Sequence, residues 1–287
     1  MLSSLLRIYQ RLVFRMLKPI QGALERQVNA RWHNYPFGQT PRGSRDKYIR
    51  LATHAKTQAY PEVDAFEISA GFTLDTGWLH DLALHTQVVI KKSPLCYAHG
   101  RVLYSALSAY LHDNPCTFPT ERITIWETGT ARGFSALCMA KALHDQKRAG
   151  TIVTFDVLPH HTKMFWNCID DWDGPKSRSE LLNPWKILIQ NYILFHKGDT
   201  RLELPKVKSN RIHFAFLDGV HSYEDVILEF ENIREQQKSG DVIVYDDYQD
   251  QFSGVVKAVD YICDSHSYTR NVIRSQSNRA YVVTIKI

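Results

Sequence analysis

Short runs of β-branched and aromatic residues alternate with helical patterns over the second half of the chain. Five runs have the composition of strands: ITIWE (123–127), TIVTFD (151–156), ILFHKGD (193–199), IHFAFLD (212–218) and DVIVYDD (241–247). Helical spacing of apolar residues fills the intervals at Phe134–Gln146, Ser179–Gln190 and Tyr223–Gln237. Strands that alternate with helices in this way predict a parallel sheet with helices on both faces.

The other parts of the chain follow different patterns. Two strand-like runs, YTRNVIRS at 268–275 and RAYVVTIKI at 279–287, are separated by a short polar turn and predict a final hairpin. Residues 61–115 carry helical patterns without strand alternation. Residues 34–60 are polar and rich in turn formers, which predicts a linker or an irregular segment.

The first twenty residues form an amphipathic helical pattern. Their apolar residues share one face, and the opposite face carries four basic residues: Arg7, Arg11, Arg15 and Lys18. Charges this frequent exclude a transmembrane span, and the uninterrupted apolar stretch of a secretory signal is missing. We expect this helix to dock on the body of the protein or on a second subunit, or to lie on an anionic membrane surface.

The excess of positive charge belongs to this same end of the chain. There are 35 Lys plus Arg residues against 30 Asp plus Glu, and residues 1–33 contain six of the basic residues and one of the acids. Residues 34–287 are therefore neutral, which argues against a general nucleic-acid binder. Five scattered cysteines without a CxxC pair predict reduced thiols in a cytoplasmic protein, at the inner membrane face if the helix meets lipid.

Three predicted strands end in residues that suit a ligand. The first leads into Gly129 and Gly133 before a helix, so the backbone can approach a ligand closely and free N–H groups can meet an anion. The second ends at Asp156, which can bind both hydroxyls of a ribose or cap a helix. The third ends at Gly198 and Asp199. Because ligands bind at the carboxyl edge of open α/β sheets, these residues predict one binding site there.

Aspartates follow the next two predicted strands. Asp218 ends one of them, and Asp246 and Asp247 end the other. Adjacent parallel strands would bring the three carboxylates together, and their mutual repulsion favours a shared hard cation such as Mg²⁺. His221 lies three residues after Asp218. We expect it to act as a general base on a hydroxyl group that the cation has made more acidic.

The order of these motifs resembles the class I S-adenosylmethionine-dependent O-methyltransferases. Residues 126–143, with GTARGFSALCMAKAL, are similar to the first motif of metal-dependent members such as the catechol O-methyltransferases. DGVHSYEDV followed by GDVIVYDDY is closer to the macrolide-sugar O-methyltransferases. The resemblance covers about residues 100–287. It implies an α/β fold, a doubly wound Rossmann-like sheet of seven strands with the last one antiparallel, here with a helical N-terminal extension.

The resemblance also implies which residues bind S-adenosylmethionine. Gly129, Thr130 and Gly133 would let the backbone approach the methionine part. Glu127 would position the amino-acid end of the cofactor, and Ser135 would contact its carboxylate. Asp156 would hold the ribose, and Asp199 would accept a hydrogen bond from the adenine amino group. Asp218 completes the set of cofactor residues that the resemblance implies.

For the acceptor side, the resemblance implies a divalent cation that holds the acceptor hydroxyl. Its ligands would be three aspartates: Asp218, Asp246 and Asp247. Where catechol-type enzymes have a lysine three residues after the first metal aspartate, this chain has His221, and an Asp-Asp pair replaces their Asp-Asn pair. These departures favour a hydroxyl of a sugar, a glycan or a glycosylated small molecule as the acceptor.

We accordingly divide the chain into three parts. Residues 1–33 form the basic amphipathic helix, residues 34–115 a linker and a helical lid region, and residues 116–287 the methyltransferase domain. Between the second and third strands lie three tryptophans that either stack on sugar rings or pack on the body: Trp166, Trp172 and Trp185.

Two alternative functions follow from the same patterns. A nicotinamide-dependent oxidoreductase could use a similar sheet, but the third glycine of the dinucleotide fingerprint is missing and the aspartate trio has no use there. A non-catalytic methyltransferase fold attached to a membrane would not need the complete set of acids that this chain has.

Overall fold

The computed structural model describes residues 37–115, 122–276 and 279–287. The predicted amphipathic helix of residues 1–33 lies outside the described residues. In the part of the chain that the structure describes, no helix combines the length and the apolar character that crossing a membrane requires.

Seven strands and ten α-helices follow one another along the described chain. The strands are β1 (Ile123–Thr128), β2 (Gly150–Asp156), β3 (Ile193–Lys197), β4 (Phe214–Leu217), β5 (Val242–Tyr248), β6 (Asn271–Gln276) and β7 (Arg279–Ile285). The helices are α1 (Arg45–Lys56), α2 (Pro61–Ala70), α3 (Thr76–Thr86), α4 (His99–Asp113), α5 (Phe134–Asp145), α6 (Arg178–Leu181), α7 (Lys186–Tyr192), α8 (Thr200–Glu203), α9 (Tyr223–Arg234) and α10 (Ser253–Ser265). Short 3₁₀ turns occupy Ile169–Asp173, Asn183–Trp185, Leu204–Lys206 and Asp250–Phe252.

The strands form one sheet in the order β3-β2-β1-β4-β5-β7-β6. All neighbouring pairs from β3 to β5 are parallel, whereas β7 runs antiparallel to both β5 and β6. The predicted doubly wound sheet of seven strands, with an antiparallel last strand from a final hairpin, is therefore confirmed. Thr128 at the end of β1 is in register with Phe155 and Leu217, so the carboxyl ends of β1, β2 and β4 meet at one edge.

Alternate residues of each central strand enter two different cores. Ile125 of β1 and Val244 of β5 contribute to the core under α2, α3, α4 and α5. Trp126 and Ile243, one position away in sequence, contribute to the opposite core under α9 and α10. Because both faces are covered, the strands are apolar on both sides, as parallel strands usually are.

The helices before β1 share the first of these cores with the sheet. Buried residues of α2, α3 and α4 belong to the same hydrophobic cluster as Ile125 and Phe134. A Cβ at Gly100 of α4 would lie 2.7 Å from ring atoms of Phe134, so glycine allows α4 to approach α5 this closely. The lid role of residues 34–115 stays a prediction, and α2 to α4 form part of the core.

The prediction of a linker over residues 34–60 was wrong where α1 forms. The Ser44 side chain caps this helix by accepting a hydrogen bond from the Lys47 N–H at 3.2 Å. Tyr48, Ala52 and Ala55 are its buried residues. The remaining positions are polar, and so the composition of the segment resembles that of a loop although its few apolar residues follow helical spacing.

The segment between β2 and β3 also differs from its predicted form. The helix expected over Ser179–Gln190 is divided into α6, a 3₁₀ turn and α7, because Pro184 enters the turn and cannot donate a backbone hydrogen bond. Trp166 and Trp185 are buried in the body of the protein. Trp172 is half exposed, and its ring N–H donates to the Gly43 carbonyl at 2.8 Å.

Candidate active site

The turns after β1 and β4 touch at the carboxyl edge of the sheet. Gly129 has a φ of +86°, and a Cβ at this position would overlap the backbone carbonyl oxygen of Asp218. Its N–H donates to the Phe155 carbonyl at 2.9 Å, which joins the turn to the end of β2. Gly133 has a φ of +89° and begins α5. The two predicted glycines thus shape a narrow turn between the strand ends.

Glu127 lies at the buried end of this turn. Its Oε2 accepts a hydrogen bond from the Thr154 hydroxyl, which also shares a hydrogen bond with the Thr130 hydroxyl. Its Oε1 has no well-formed hydrogen bond with the described residues, although the Ser135 hydroxyl is near enough to lower the pKa. Burial outweighs the hydroxyl groups and raises the pKa of Glu127 to about 7. Two of the predicted cofactor residues, Thr130 and Ser135, therefore lie beside the carboxyl group of a third, Glu127, whose Oε1 is an open acceptor.

Asp156 ends β2, where the sequence predicted a ribose-binding acid or a helix cap. No helix begins in the described segment 157–168, so the capping alternative does not apply. One carboxylate oxygen accepts from the Ala131 N–H at 2.6 Å and from Arg178 at 3.1 Å, and the other accepts from the Leu158 N–H at 2.8 Å. The carboxylate is thereby fixed directly beside the glycine turn.

Asp199 lies next to Asp156, since the Gly198 N–H donates to the Asp156 carbonyl at 2.9 Å. The Asp199 carboxylate caps α8 by accepting from the Arg201 N–H at 3.0 Å. It also forms an ion pair with the Arg201 guanidinium at 2.7 Å, and the hydrogen bond from Arg201 holds the pKa of Asp199 below its usual value. The structure places Asp199 at the predicted edge, with its carboxylate turned to Arg201.

Asp218, His221 and Asp247 come together at the ends of β4 and β5. One ligand atom of each residue lies within 4.8 Å of the others, an arrangement that could hold a metal ion. His221 Nε2 is 3.1 Å from an Asp247 oxygen and 3.7 Å from an Asp218 oxygen. Hydrogen bonding to Asp218 and then to Asp247 raises the pKa of His221 to about 10, and burial raises that of Asp218 to about 7.

The backbone around Asp247 explains why its side chain faces His221. Asp247 has a φ of +54°, and the pairing of β5 with β7 is irregular between Tyr245 and Tyr248. An irregularity of this kind re-aims the side chains beside it. The Phe252 ring stacks on the His221 imidazole with 4.3 Å between the ring centres, and this contact holds the imidazole against the two carboxylates.

Asp246 takes a different direction from the one predicted. Its buried carboxylate receives two hydrogen bonds from one Arg279 nitrogen, at 2.7 and 2.8 Å, and it does not belong to the cluster of Asp218, His221 and Asp247. Burial acts to raise the pKa of Asp246, but the charge of Arg279 lowers it below its ordinary value. The predicted cation set of Asp218, Asp246 and Asp247 therefore stays a prediction, of which the structure brings two members together.

The residues present fit both groups that the motifs imply. For the cofactor, Glu127 Oε1 offers a buried acceptor beside the glycine turn. For a divalent cation, Asp218 and Asp247 offer carboxylate oxygens next to His221 Nε2.

Comparisons with known proteins agree with this architecture. Residues 126–248 match a family model described as a methyltransferase domain. Cofactor-bound Rv0187 from MTB is 14% identical with a TM-score of 0.50, over 79% of this chain and 90% of that one. The O-methyltransferase NovP is 15% identical with a TM-score of 0.51, over 69% of this chain and 83% of that one.

TomG is a third similar structure. This O-methyltransferase from Streptomyces achromogenes, involved in tomaymycin synthesis and solved in complex with S-adenosylmethionine, is 14% identical with a TM-score of 0.51, over 76% of this chain and 93% of that one. No curated protein matches the sequence. These comparisons confirm the predicted fold of a methyltransferase domain.

We expect Gly129→Ala to destabilise the protein more than Gly240→Ala does. Both glycines have a similar positive φ, and a Cβ at Gly240 meets nothing within 4 Å. Gly240→Ala should therefore cost only the backbone strain of about 1 kcal/mol, whereas Gly129→Ala must also displace the Asp218 carbonyl. Denaturant unfolding of both variants measures the difference. Equal losses would show that the contact with Asp218 contributes nothing.

We expect Glu127→Gln to flatten the pH dependence of stability. Because the pKa of Glu127 is raised to about 7, the folded state binds more protons than the unfolded state between about pH 4.5 and 7. The free energy of unfolding then falls as pH rises through this window, by about 3 kcal/mol from this residue. Unfolding at pH 5 and pH 8 should show that the variant gains stability relative to the wild type at the higher pH. Parallel pH curves would contradict the assignment.

Proposed function

We propose that the protein transfers a methyl group from S-adenosylmethionine to a hydroxyl oxygen. The observation that carries this proposal is the glycine turn after β1, which follows the buried Glu127 and lies against Asp218. The match of residues 126–248 to a methyltransferase domain supports it. The likeness to TomG, a structure in complex with S-adenosylmethionine, supports the fold that the proposal requires.

The cofactor would lie across the carboxyl ends of β1, β2 and β3. When bound, S-adenosylmethionine supplies an electrophilic methyl group on a sulfonium centre. Glu127 Oε1 would accept a hydrogen bond from its amino-acid end, and Asp156 would accept from the ribose. Methyl transfer then depends on a nucleophilic oxygen held in line with the methyl group, which is a matter of positioning and of charge.

A divalent cation would be held by Asp218 and Asp247. Mg²⁺ commonly uses one or two protein carboxylates and leaves its other positions to water or substrate. When bound, such a cation lowers the pKa of a hydroxyl group in contact with it. Asp246 would support this arrangement from behind, since Arg279 fixes its carboxylate and the Asp247 N–H donates to it at 2.6 Å.

His221 would take the proton of the acceptor hydroxyl at Nε2 only with a cation bound to Asp218 and Asp247, because the charge of these carboxylates otherwise raises the pKa of His221 to about 10 and keeps the imidazole protonated at neutral pH. This nitrogen faces the two carboxylates, whose negative charge stabilises the imidazolium that forms. The Phe252 ring keeps the imidazole in this orientation. The same nitrogen lies where it could instead be a third ligand of the cation, and the two roles exclude each other at Nε2.

For the acceptor, we propose a hydroxyl of a sugar, a glycan or a glycosylated small molecule. The proposal rests on the Asp246-Asp247 pair and on His221, which make the sequence resemble the macrolide-sugar group more than the catechol group. Cytoplasmic location, a homo-oligomer and contact of residues 1–20 with a membrane stay predictions.

The proposed reaction predicts binding of S-adenosylmethionine and of S-adenosylhomocysteine. Calorimetric titration of the purified full chain should show one site for each, with and without Mg²⁺. NADH should not bind, because the dinucleotide fingerprint lacks its third glycine. Failure of both methionine-derived ligands to bind would refute the proposed function, and binding of NADH alone would favour the oxidoreductase alternative.

We expect substitutions at the proposed cation site to separate metal binding from proton transfer. Asp247→Asn should weaken Mn²⁺ binding at least about tenfold, because it removes a charged oxygen ligand. His221→Ala should retain Mn²⁺ affinity and lose methyl transfer. Asp246→Asn should change Mn²⁺ affinity less than Asp247→Asn, because Asp246 faces Arg279. Titration calorimetry and Mn²⁺ resonance spectroscopy provide the affinities.

Two results would revise the assignment. A tenfold loss of Mn²⁺ affinity in His221→Ala would make the imidazole a ligand and move the base elsewhere. Full methyl transfer in the presence of EDTA would refute the role of a cation while leaving methyl transfer itself intact.

A further inference from the structure

Arg178 is a buried cation in the segment between β2 and β3. Its side chain is 2% exposed, and Asp156 is its only ion-pair partner among the described residues. Resting on the proposed function, we infer that Arg178 is a positioning residue of the cofactor site, which fixes the Asp156 carboxylate to the glycine turn for binding of the ribose.

Three hydrogen bonds form a closed triangle between Arg178, Asp156 and Ala131. Arg178 Nη2 donates to Asp156 Oδ2 at 3.1 Å, and Arg178 Nε donates to the Ala131 carbonyl at 2.9 Å. The Ala131 N–H donates to the same Asp156 oxygen at 2.6 Å. Ala131 itself has a φ of +45°, which is strained for a residue with a side chain. Arg178 therefore holds both the acid and the turn in one geometry.

Two aromatic rings and the cap of α6 hold the side chain of Arg178 in this position. Its guanidinium lies 5.7 Å from the ring centre of Trp166 and 5.7 Å from that of Phe195. The Ser177 hydroxyl and the Glu180 carboxylate cap the start of α6 and fix the backbone from which Arg178 extends. Burial of a charge without a counterion costs free energy. Arg178 therefore depends on Asp156 for its position, and Asp156 depends on Arg178.

Asp156 needs the positive charge because it is itself buried. Burial raises the pKa of Asp156, while Arg178 and the N–H groups of Leu158 and Ala131 lower it. Two other titratable groups lie nearby. The charge of Asp156 acts to raise the pKa of Glu127, and the charge of Arg178 acts to lower the pKa of His160. Without Arg178, the pKa of Asp156 would rise further. As the pH falls, its carboxylate would then become protonated at a higher pH than in the wild type and would no longer accept the hydrogen bonds.

This role of Arg178 gives the segment between β2 and β3 a part in the proposed cofactor site. The sequence left two uses open for the three tryptophans there, stacking on sugar rings or packing on the body. Trp166 instead supports Arg178, and Arg132 of the glycine turn donates to the Trp166 carbonyl. The segment thus belongs to the cofactor side of the site, and substitutions in it should act on cofactor affinity.

Binding of S-adenosylhomocysteine tests this inference without any chemical step. We expect Arg178→Gln to weaken binding about tenfold at pH 8. Between the pKa of Asp156 in the variant and its lower pKa in the wild type, the ratio of variant to wild-type dissociation constants should grow by up to about tenfold for each unit by which the pH falls. Arg178→Lys keeps the charge but loses the hydrogen bond from Nε to Ala131. It should show a smaller loss with the wild-type pH profile.

Arg45→Gln is the matched control, because Arg45 forms an exposed ion pair with Asp173 at 3.0 Å in a neighbouring part of the fold. It should bind like the wild type at every pH. Circular dichroism establishes that each variant is folded, and if Arg178→Gln does not fold, the pH profile of Arg178→Lys decides. Unchanged affinity in a folded Arg178→Gln, or a loss that is the same at every pH, would overturn the inference alone. No binding by the wild type would overturn the proposed function and the inference with it.

Discussion

The close contact between the Gly129 backbone and the Asp218 carbonyl is the constraint on which the rest of the site depends. It joins the turn after β1, which carries the proposed cofactor residues, to the turn after β4, which carries the proposed cation residues. The parallel register brings the two strand ends to the same level, since Thr128 pairs with Leu217. Only a residue without a Cβ permits the turns to touch. The proposed donor and acceptor sites are therefore held at a fixed separation by backbone and not by flexible side chains.

A second constraint is the number of acids at this edge, because burial disfavours each of their charges. The chain resolves this in different ways. Asp156 pairs with the buried Arg178, and Asp246 pairs with the partly buried Arg279. Glu127 has only hydroxyl partners, and its pKa is raised to about 7. Asp218 and Asp247 have an imidazole between them, and its pKa of about 10 gives this pair a positively charged partner at neutral pH.

Much of the sheet was predictable from sequence because the five parallel strands are short runs of β-branched and aromatic residues with Gly or Asp at or next to their carboxyl ends. The identity of the edge residues followed from this, since parallel strands end at one side. Helix α1 was not recognised, because only Tyr48, Ala52 and Ala55 of it are buried and the rest resembles a loop. The capping pattern from Ser177 to Glu180 was a usable signal for the start of α6.

The directions of individual side chains were not predictable in the same way. Asp246 and Asp247 are adjacent in sequence, and alternation alone cannot say which of them faces the cluster when the strand is irregular. Arg178 and Arg279 come from distant parts of the chain, and their pairing with the edge acids depends on how the segment after β2 and the final hairpin fold over the sheet. Sequence patterns report which residues share an edge, and tertiary packing decides their partners.

The position of β7 between β5 and β6 has a consequence for the order of assembly. Asp246 leaves the ribosome 33 residues before Arg279, the arginine that neutralises it. Until β7 inserts, the carboxylate has no counterion from this strand, and β5 has an open edge toward that side of the sheet. Until then, hydration of the Asp246 carboxylate is more favourable than its burial. Closure of the sheet and burial of this charge are thus one event in the maturation of the protein.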